Sequence, residues 1–125
     1  MRPATEVILS SDSLGNGWTG TVTGSDAQAS AILNNNENTF NVHIIKFDSF
    51  TNESTYYEND IAGMGGESLN IGEKAVTITM GPASKLIEFY WGNIVATLLW
   101  NIATSSLTEH QMEQFANIQN ERIGV

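Results

Sequence analysis

From Lys74 to Met80 the apolar Val76, Ile78 and Met80 alternate with Ala75, Thr77 and Thr79, the period of two that a half-buried strand requires. Gly81-Pro82-Ala83-Ser84 reads as a four-residue loop, after which Ile87, Phe89 and Trp91 alternate with Leu86, Glu88 and Tyr90. Gly92-Asn93 supplies a two-residue hairpin turn, with glycine where positive φ is needed, and a third strand runs from Ile94 to Trp100. These turns imply a register. The two-residue turn sets Trp91 opposite Ile94, Phe89 opposite Ala96 and Ile87 opposite Leu98; the four-residue loop sets Ile78 opposite Ile87 and Val76 opposite Phe89. One face then gathers Val76, Ile78, Met80, Ile87, Phe89, Trp91, Ile94, Ala96 and Leu98 as the predicted core. The other carries Thr77, Thr79, Leu86, Glu88, Tyr90, Val95, Thr97 and Leu99.

The period then changes to that of a helix. Ser106 followed by Glu109 forms a capping box, and Met112, Phe115, Ala116, Gln119 and Ile123 make one stripe that Gly124 ends. This helix is expected to lie across the core face. In the first half, Trp18 to Thr23 and Gln28 to Leu33 read as a hairpin pair, with the polar loop Asn34 to Asn38 leading to a strand from Phe40 to Phe47. Ser49 opens a helix in which Phe50, Ser54, Tyr57 and Ile61 share a face, and Gly63 stops it. Val7 to Leu9 is a short strand or helical turn, and Asp12 to Gly17 a loop. The order predicts one α+β domain over residues 1–125, with an antiparallel sheet of about six strands, two helices packed on one face and a ββα pseudo-repeat.

Composition narrows the partners. A chain of 125 residues is one domain, able to bury about two-thirds of its unfolded surface. Its net charge of -9 argues against nucleic acid and anionic lipid, which select basic surfaces. The absence of cysteine excludes thiol catalysis, disulfides and cysteine-based metal sites. Charged residues make up only 15%, and 13 Asn, 12 Thr and 11 Ser take their place. No run approaches the ~20 apolar residues of a spanning helix. The start lacks the apolar core of a signal peptide, yet the Asn/Ser/Thr texture points to an extracytoplasmic protein whose leader has been removed, Met1 then being an added start. A salt-adapted or cytoplasmic protein is the alternative reading. Asn52-Glu53-Ser54 is the one glycosylation sequon.

Candidate chemistry is sparse. His110 and Glu113 are one helical step apart beside Glu109, a spacing open to a metal-dependent enzyme, but a surface helix explains it equally and a metal site needs three or four convergent ligands. His43 faces either solvent or a polar patch of the sheet. Gly63-Met64-Gly65-Gly66 follows a helix rather than a strand, so it is a helix stop and not a phosphate cradle. Gly66-Glu67-Ser68-Leu69-Asn70 departs from a nucleophile elbow at its last residue. Asp12, Asn16, Asp26 and the Asn34 to Asn38 loop lack EF-hand spacing and read as turn chemistry. Glu88 and Glu109 are not singled out as a glycosidase pair among the fourteen acids. No catalytic residue, cofactor or metal ligand is assigned. The mixed face of Leu86, Glu88, Tyr90, Val95, Thr97 and Leu99 is the candidate interaction surface, suited to a partner or a homodimer or else covered by the chain itself. Trp100 and Lys85 are placed to meet as a cation–π pair across the hairpin.

Gly17-Trp18, the run Val42 to Phe47-Asp48-Ser49 ahead of Tyr56-Tyr57, Ile71-Gly72-Glu73-Lys74-Ala75, and Tyr90-Trp91-Gly92-Asn93-Ile94-Val95-Ala96 ahead of the closing helix together resemble a known pattern. It is similar to that of extracytoplasmic, lipoprotein-associated domains of unknown function from archaea and actinobacteria, with an architecture like the photosystem subunit P / Mog-type α/β/α sandwich. The resemblance carries no catalytic residues, and the lipid-attachment cysteine of such lipoproteins is absent. The expected function is a non-catalytic extracytoplasmic binding or interaction domain for a protein or small ligand. The alternatives are a small metal-dependent enzyme using His110, Glu109 and Glu113, and a self-associating structural module.

Overall fold

Seven strands join into one antiparallel sheet in the computed structural model, whose described residues are 4–14, 17–35, 38–47, 67–72, 74–91, 94–103 and 107–124. Strands β1 (Thr19–Gly24), β2 (Gln28–Asn34) and β3 (Thr39–Lys46) form one meander, and β4 (Glu67–Leu69), β5 (Lys74–Met80), β6 (Ser84–Trp91) and β7 (Ile94–Asn101) form another. The two meet through β3 and β7, giving the order β1-β2-β3-β7-β6-β5-β4. The class is α+β, as the order of patterns predicts. The strand β4, absent from that reading, pairs with β5 as the far edge. The helix expected after Ser49, with its Gly63 stop, and the sequon at Asn52 lie outside the described residues.

Sequence and structure agree on one register and differ on the next. Trp91 pairs with Ile94, Phe89 with Ala96 and Ile87 with Leu98, as the two-residue turn requires. Between β5 and β6, however, Met80 pairs with Ser84, so the loop is the three residues Gly81-Pro82-Ala83 and Thr77, not Ile78, faces Ile87. Gly81 takes a φ of 69°, the left-handed geometry that closes such a loop. A slip of one residue turns a whole strand over. Ala75 and Thr77 therefore join Ile87 and Phe89, while Val76 and Ile78 lie on the opposite face with Leu86, Tyr90 and Val95. Both faces of this half of the sheet are consequently apolar and buried.

Three helical segments complete the described chain: α1 (Ala4–Val7), α2 (Ser11–Leu14) and α3 (Glu109–Gly124). The turn at α2 replaces the loop expected over this stretch. Helix α3 lays Met112, Ala116, Gln119 and Ile123 on the sheet, where they pack with Phe40, Val42, Ile87, Phe89, Ala96 and Leu98. Phe115 stacks on Phe40 at 5.0 Å, and Trp18 meets both rings edge-on. The helix starts later than its first capping signal suggests. Thr108 and Gln111 form the reciprocal cap, Gln111 donating its N–H to Thr108 Oγ1 at 3.1 Å and Thr108 donating its own to Gln111 Oε1 at 2.9 Å.

Candidate binding face

Strand alternation places Asn41, His43 and Ile45 of β3 on the face away from α3, since Phe40, Val42 and Ile44 belong to the core beneath that helix. Register then aligns one row of side chains across this face: Thr23, Ser30, His43, Thr97, Glu88, Val76 and Ser68. Six of the seven bear a hydroxyl, a carboxylate or an imidazole.

Backbone phase decides which of them touch. Lys46 donates to Ala27 O at 2.8 Å, so every second pair of the β2/β3 ladder exchanges backbone bonds and Ser30 with His43 falls in the intervening type. Such pairs approach more closely, at about 4.5 Å between Cα atoms against about 5.5 Å. Ser30 Oγ accordingly lies 2.8 Å from His43 Nδ1. The bond from Ile102 N–H to Ala83 O sets the same phase for β6 and β7, and Thr97 with Glu88 is again a close pair. Thr97 Oγ1 donates to Glu88 Oε1 at 2.8 Å. Each polar pair is thus joined within a close cross-strand pairing, whereas His43 and Thr97 sit in a wider one.

Exposure divides the face in two. Over β5 to β7, Leu86, Tyr90, Val95, Val76 and Ile78 are buried, Phe47 packs against them and Glu88 is only 2% exposed. Over β1 to β3, Thr21, Asn41 and Ile32 are exposed, Ser30 and His43 half-buried, and Ile32 reaches 51%. Of the candidate interaction surface, Leu86, Glu88, Tyr90, Val95, Thr97 and Leu99 do share this face, but the first four are buried and Thr97 is half-buried. Leu99 alone among them stands in the open. It extends the exposed half through its neighbour Asn41, which in turn pairs with Ile32. The exposed patch that joins Ile32, Asn41 and Leu99 therefore lies on β1 to β3 with Leu99, while Ser68, Lys74 and Asn101 are exposed at the margins of the buried half. The patch's signal was present in the sequence: a four-residue loop from Asn35 to Asn38 sets Asn34 opposite Thr39 and hence Ser30 opposite His43.

Other candidate residues have different occupations. Glu109 turns to the sheet, where Lys85 Nζ lies 2.6 Å from its Oε1 and Thr77 Oγ1 donates to the same oxygen at 3.3 Å. The hydrogen bond from Lys85 holds the Glu109 carboxyl below its ordinary range; partial burial pulls the other way, and the charge of Lys85 and the Thr77 hydroxyl add to the lowering. His110 is exposed, with its ring 3.4 Å from Gln114 Nε2, so the structure does not bring Glu109, His110 and Glu113 to one point. Among the described residues no group of three or more His, Asp or Glu converges. Lys85 does pair with Trp100 across the hairpin, but its ammonium is engaged by Glu109. The Asn oxygens of the polar loop serve turns: Asn35 Oδ1 accepts Asn38 N–H at 2.7 Å and Asn34 Oδ1 accepts the Thr39 hydroxyl at 2.6 Å. No described helix is long and apolar enough to cross a membrane.

Compared with protein-family models, with curated proteins and with solved structures, the chain matches none.

Proposed function

We propose that the chain is a non-catalytic extracytoplasmic binding or interaction domain whose contact surface is the exposed half of the sheet face away from α3. One observation carries this reading: Ile32, Asn41 and Leu99 stand side by side and exposed on three adjacent strands, next to the Ser30–His43 pair. Apolar groups interleaved with hydrogen-bonding groups on a rigid sheet suit a ligand that is itself mixed in polarity. The resemblance to a photosystem subunit P / Mog-type sandwich belongs to the same proposal, because a three-layer architecture needs an apolar sheet on both sides, and Val76, Ile78, Leu86, Tyr90 and Val95 make the second side apolar here.

Amide shift mapping of the isotope-labelled protein against soluble disaccharides and short uncharged peptides tests the surface. Shifts gathered at Ile32, Asn41, His43 and Leu99, and lost in an Ile32→Ser, Asn41→Ala double variant, are expected. Shifts confined to α3 and the Lys85–Glu109 corner would overturn the assignment.

A further inference from the structure

We infer that the free edge of β1 is a strand-addition site for an extended, positively charged segment of a partner protein. Among the described residues β1 is the terminal strand of the sheet and pairs with β2 alone, and all six of its residues are exposed. Sheet edges of this kind are ordinarily guarded by charge, proline or shortness. The opposite edge follows that rule, β4 having three residues with Glu67 at its start. Strand β1 does not: from residue 13 to residue 25 the chain holds neither a charged residue nor a proline.

The hydrogen-bonding groups open to a partner can be named. Ser25 donates to Gln28 O at 2.7 Å, so with the ladder Thr23↔Ser30 and Thr21↔Ile32, the odd-numbered residues of β1 direct their backbone groups to β2. Gly20, Val22 and Gly24 direct theirs outward. Two of these three lack a side chain, which lets another backbone approach closely. The odd positions place Thr19, Thr21 and Thr23 along the face that carries His43, so an added strand would extend that face as well as the sheet.

Charge selects the occupant. With 14 acidic and 5 basic residues the chain carries -9, so two copies repel each other while a basic segment is drawn in. A second copy would also gain little area, since pairing two six-residue edges falls well short of the roughly 800 Å² per partner of a standard interface. An extended peptide needs no such area, because its affinity comes from main-chain hydrogen bonds. The edge is separate from the exposed sheet face, so failure of one site leaves the other standing.

The probe is a decapeptide of alternating threonine and valine with two lysines at each end, titrated into the labelled full chain. Shifts and slowed amide exchange at Gly20, Val22 and Gly24 are expected, with binding weakened by salt and absent when glutamates replace the lysines. Val22→Pro removes one outward N–H without touching the β1–β2 ladder, and is expected to weaken binding at least tenfold. Should that variant fail to fold, a peptide methylated at alternate backbone nitrogens makes the same test on the unaltered protein. Equal binding of the lysine and glutamate peptides, tolerance of Val22→Pro or of backbone methylation, shifts placed elsewhere, or no binding at all would overturn the proposal. So would self-association of the protein alone that Val22→Pro abolishes, which would assign the edge to a second copy.

Discussion

Gln119 of α3 holds the backbone of Leu9 from 110 positions away, accepting its N–H at 2.8 Å through Oε1. The same amide donates through Nε2 to Val7 O at 2.8 Å, so one fully buried side chain satisfies a donor and an acceptor of the N-terminal segment. Arg122 adds bonds to Val7 O and Ile8 O at 3.1 Å and to Glu6 O at 2.8 Å. A stripe position read as apolar from its spacing is therefore a polar clamp. Gln119→Leu keeps the volume but strands the buried Leu9 N–H and leaves Val7 O with Arg122 alone, so a loss of roughly 1–3 kcal/mol is expected in denaturant unfolding. Arg122→Ala should cost less, because Val7 O keeps its bond from Gln119 and Glu6 is exposed to water.

Gly72 and Gly81 separate two costs that a glycine can hide. Both have left-handed backbone, with φ of 63° and 69°. At Gly72 an added Cβ would meet Tyr90 O at 2.6 Å and Phe89 Cδ2 at 3.1 Å, whereas at Gly81 nothing lies within 4 Å. Gly81→Ala should therefore cost only the backbone preference, about 1 kcal/mol. Gly72→Ala adds a clash with a backbone carbonyl and should exceed about 2 kcal/mol. Equal midpoints for the two variants in thermal unfolding would contradict this geometry.

Glu88 is the buried acid of the polar row, and Thr97 supplies a hydrogen bond to it. Thr97→Val preserves shape and removes that donor, for an expected loss of about 1–3 kcal/mol, while Thr97→Ser should recover most of it. If the loss comes from this contact, the same Thr97→Val change made in a Glu88→Leu background should cost little. Stability measured around that double-mutant cycle gives the coupling directly.

The parts of the fold that could be read from sequence are those in which local pattern and tertiary environment agree. Ile87, Phe89, Ala96 and Leu98 alternate strictly across a two-residue turn, and their register follows. The β5 strand misleads because both of its faces are buried: Val76 and Ile78 sit in one apolar cluster, while Ala75 and Thr77 face α3. Alternation then marks no unique core side, and only loop length could decide. Pro82-Ala83-Ser84 offers no signal that Ser84 belongs to the strand. Strand β4 escaped for a related reason, since Glu67-Ser68-Leu69 is too short to show a period. For the candidate face, the Ser30–His43 pair follows only when the loop is taken as the four residues Asn35 to Asn38, because the Asn34 to Asn38 loop expected from the sequence would set Ser30 opposite Val42. The division of the face into buried and exposed halves does not follow from register, because burial depends on what packs over a face and not on the strand's own pattern.

Glu109 makes one corner of the fold sensitive to acid. Its folded pKa is lowered, chiefly by the hydrogen bond from Lys85, so the unfolded chain binds this proton more readily than the folded one does. The contribution of the pair is thus present at neutral pH, above the ordinary carboxylate value of about 4.3, and is lost as pH falls through the lower folded value. The side chains of Lys85 and Glu109 are 24% and 36% exposed, so solvent screening keeps the worth of the pair below about 1 kcal/mol. Glu109→Gln should accordingly lower stability slightly at pH 7, with a gap to the parent that narrows on acidification and shrinks at high salt. Lys85→Met should reproduce the narrowing on its own, since it removes the partner that lowers the carboxyl. Urea midpoints of the three proteins compared from neutral pH into the acid range check both statements, and a gap that widens as pH falls would contradict the assigned direction.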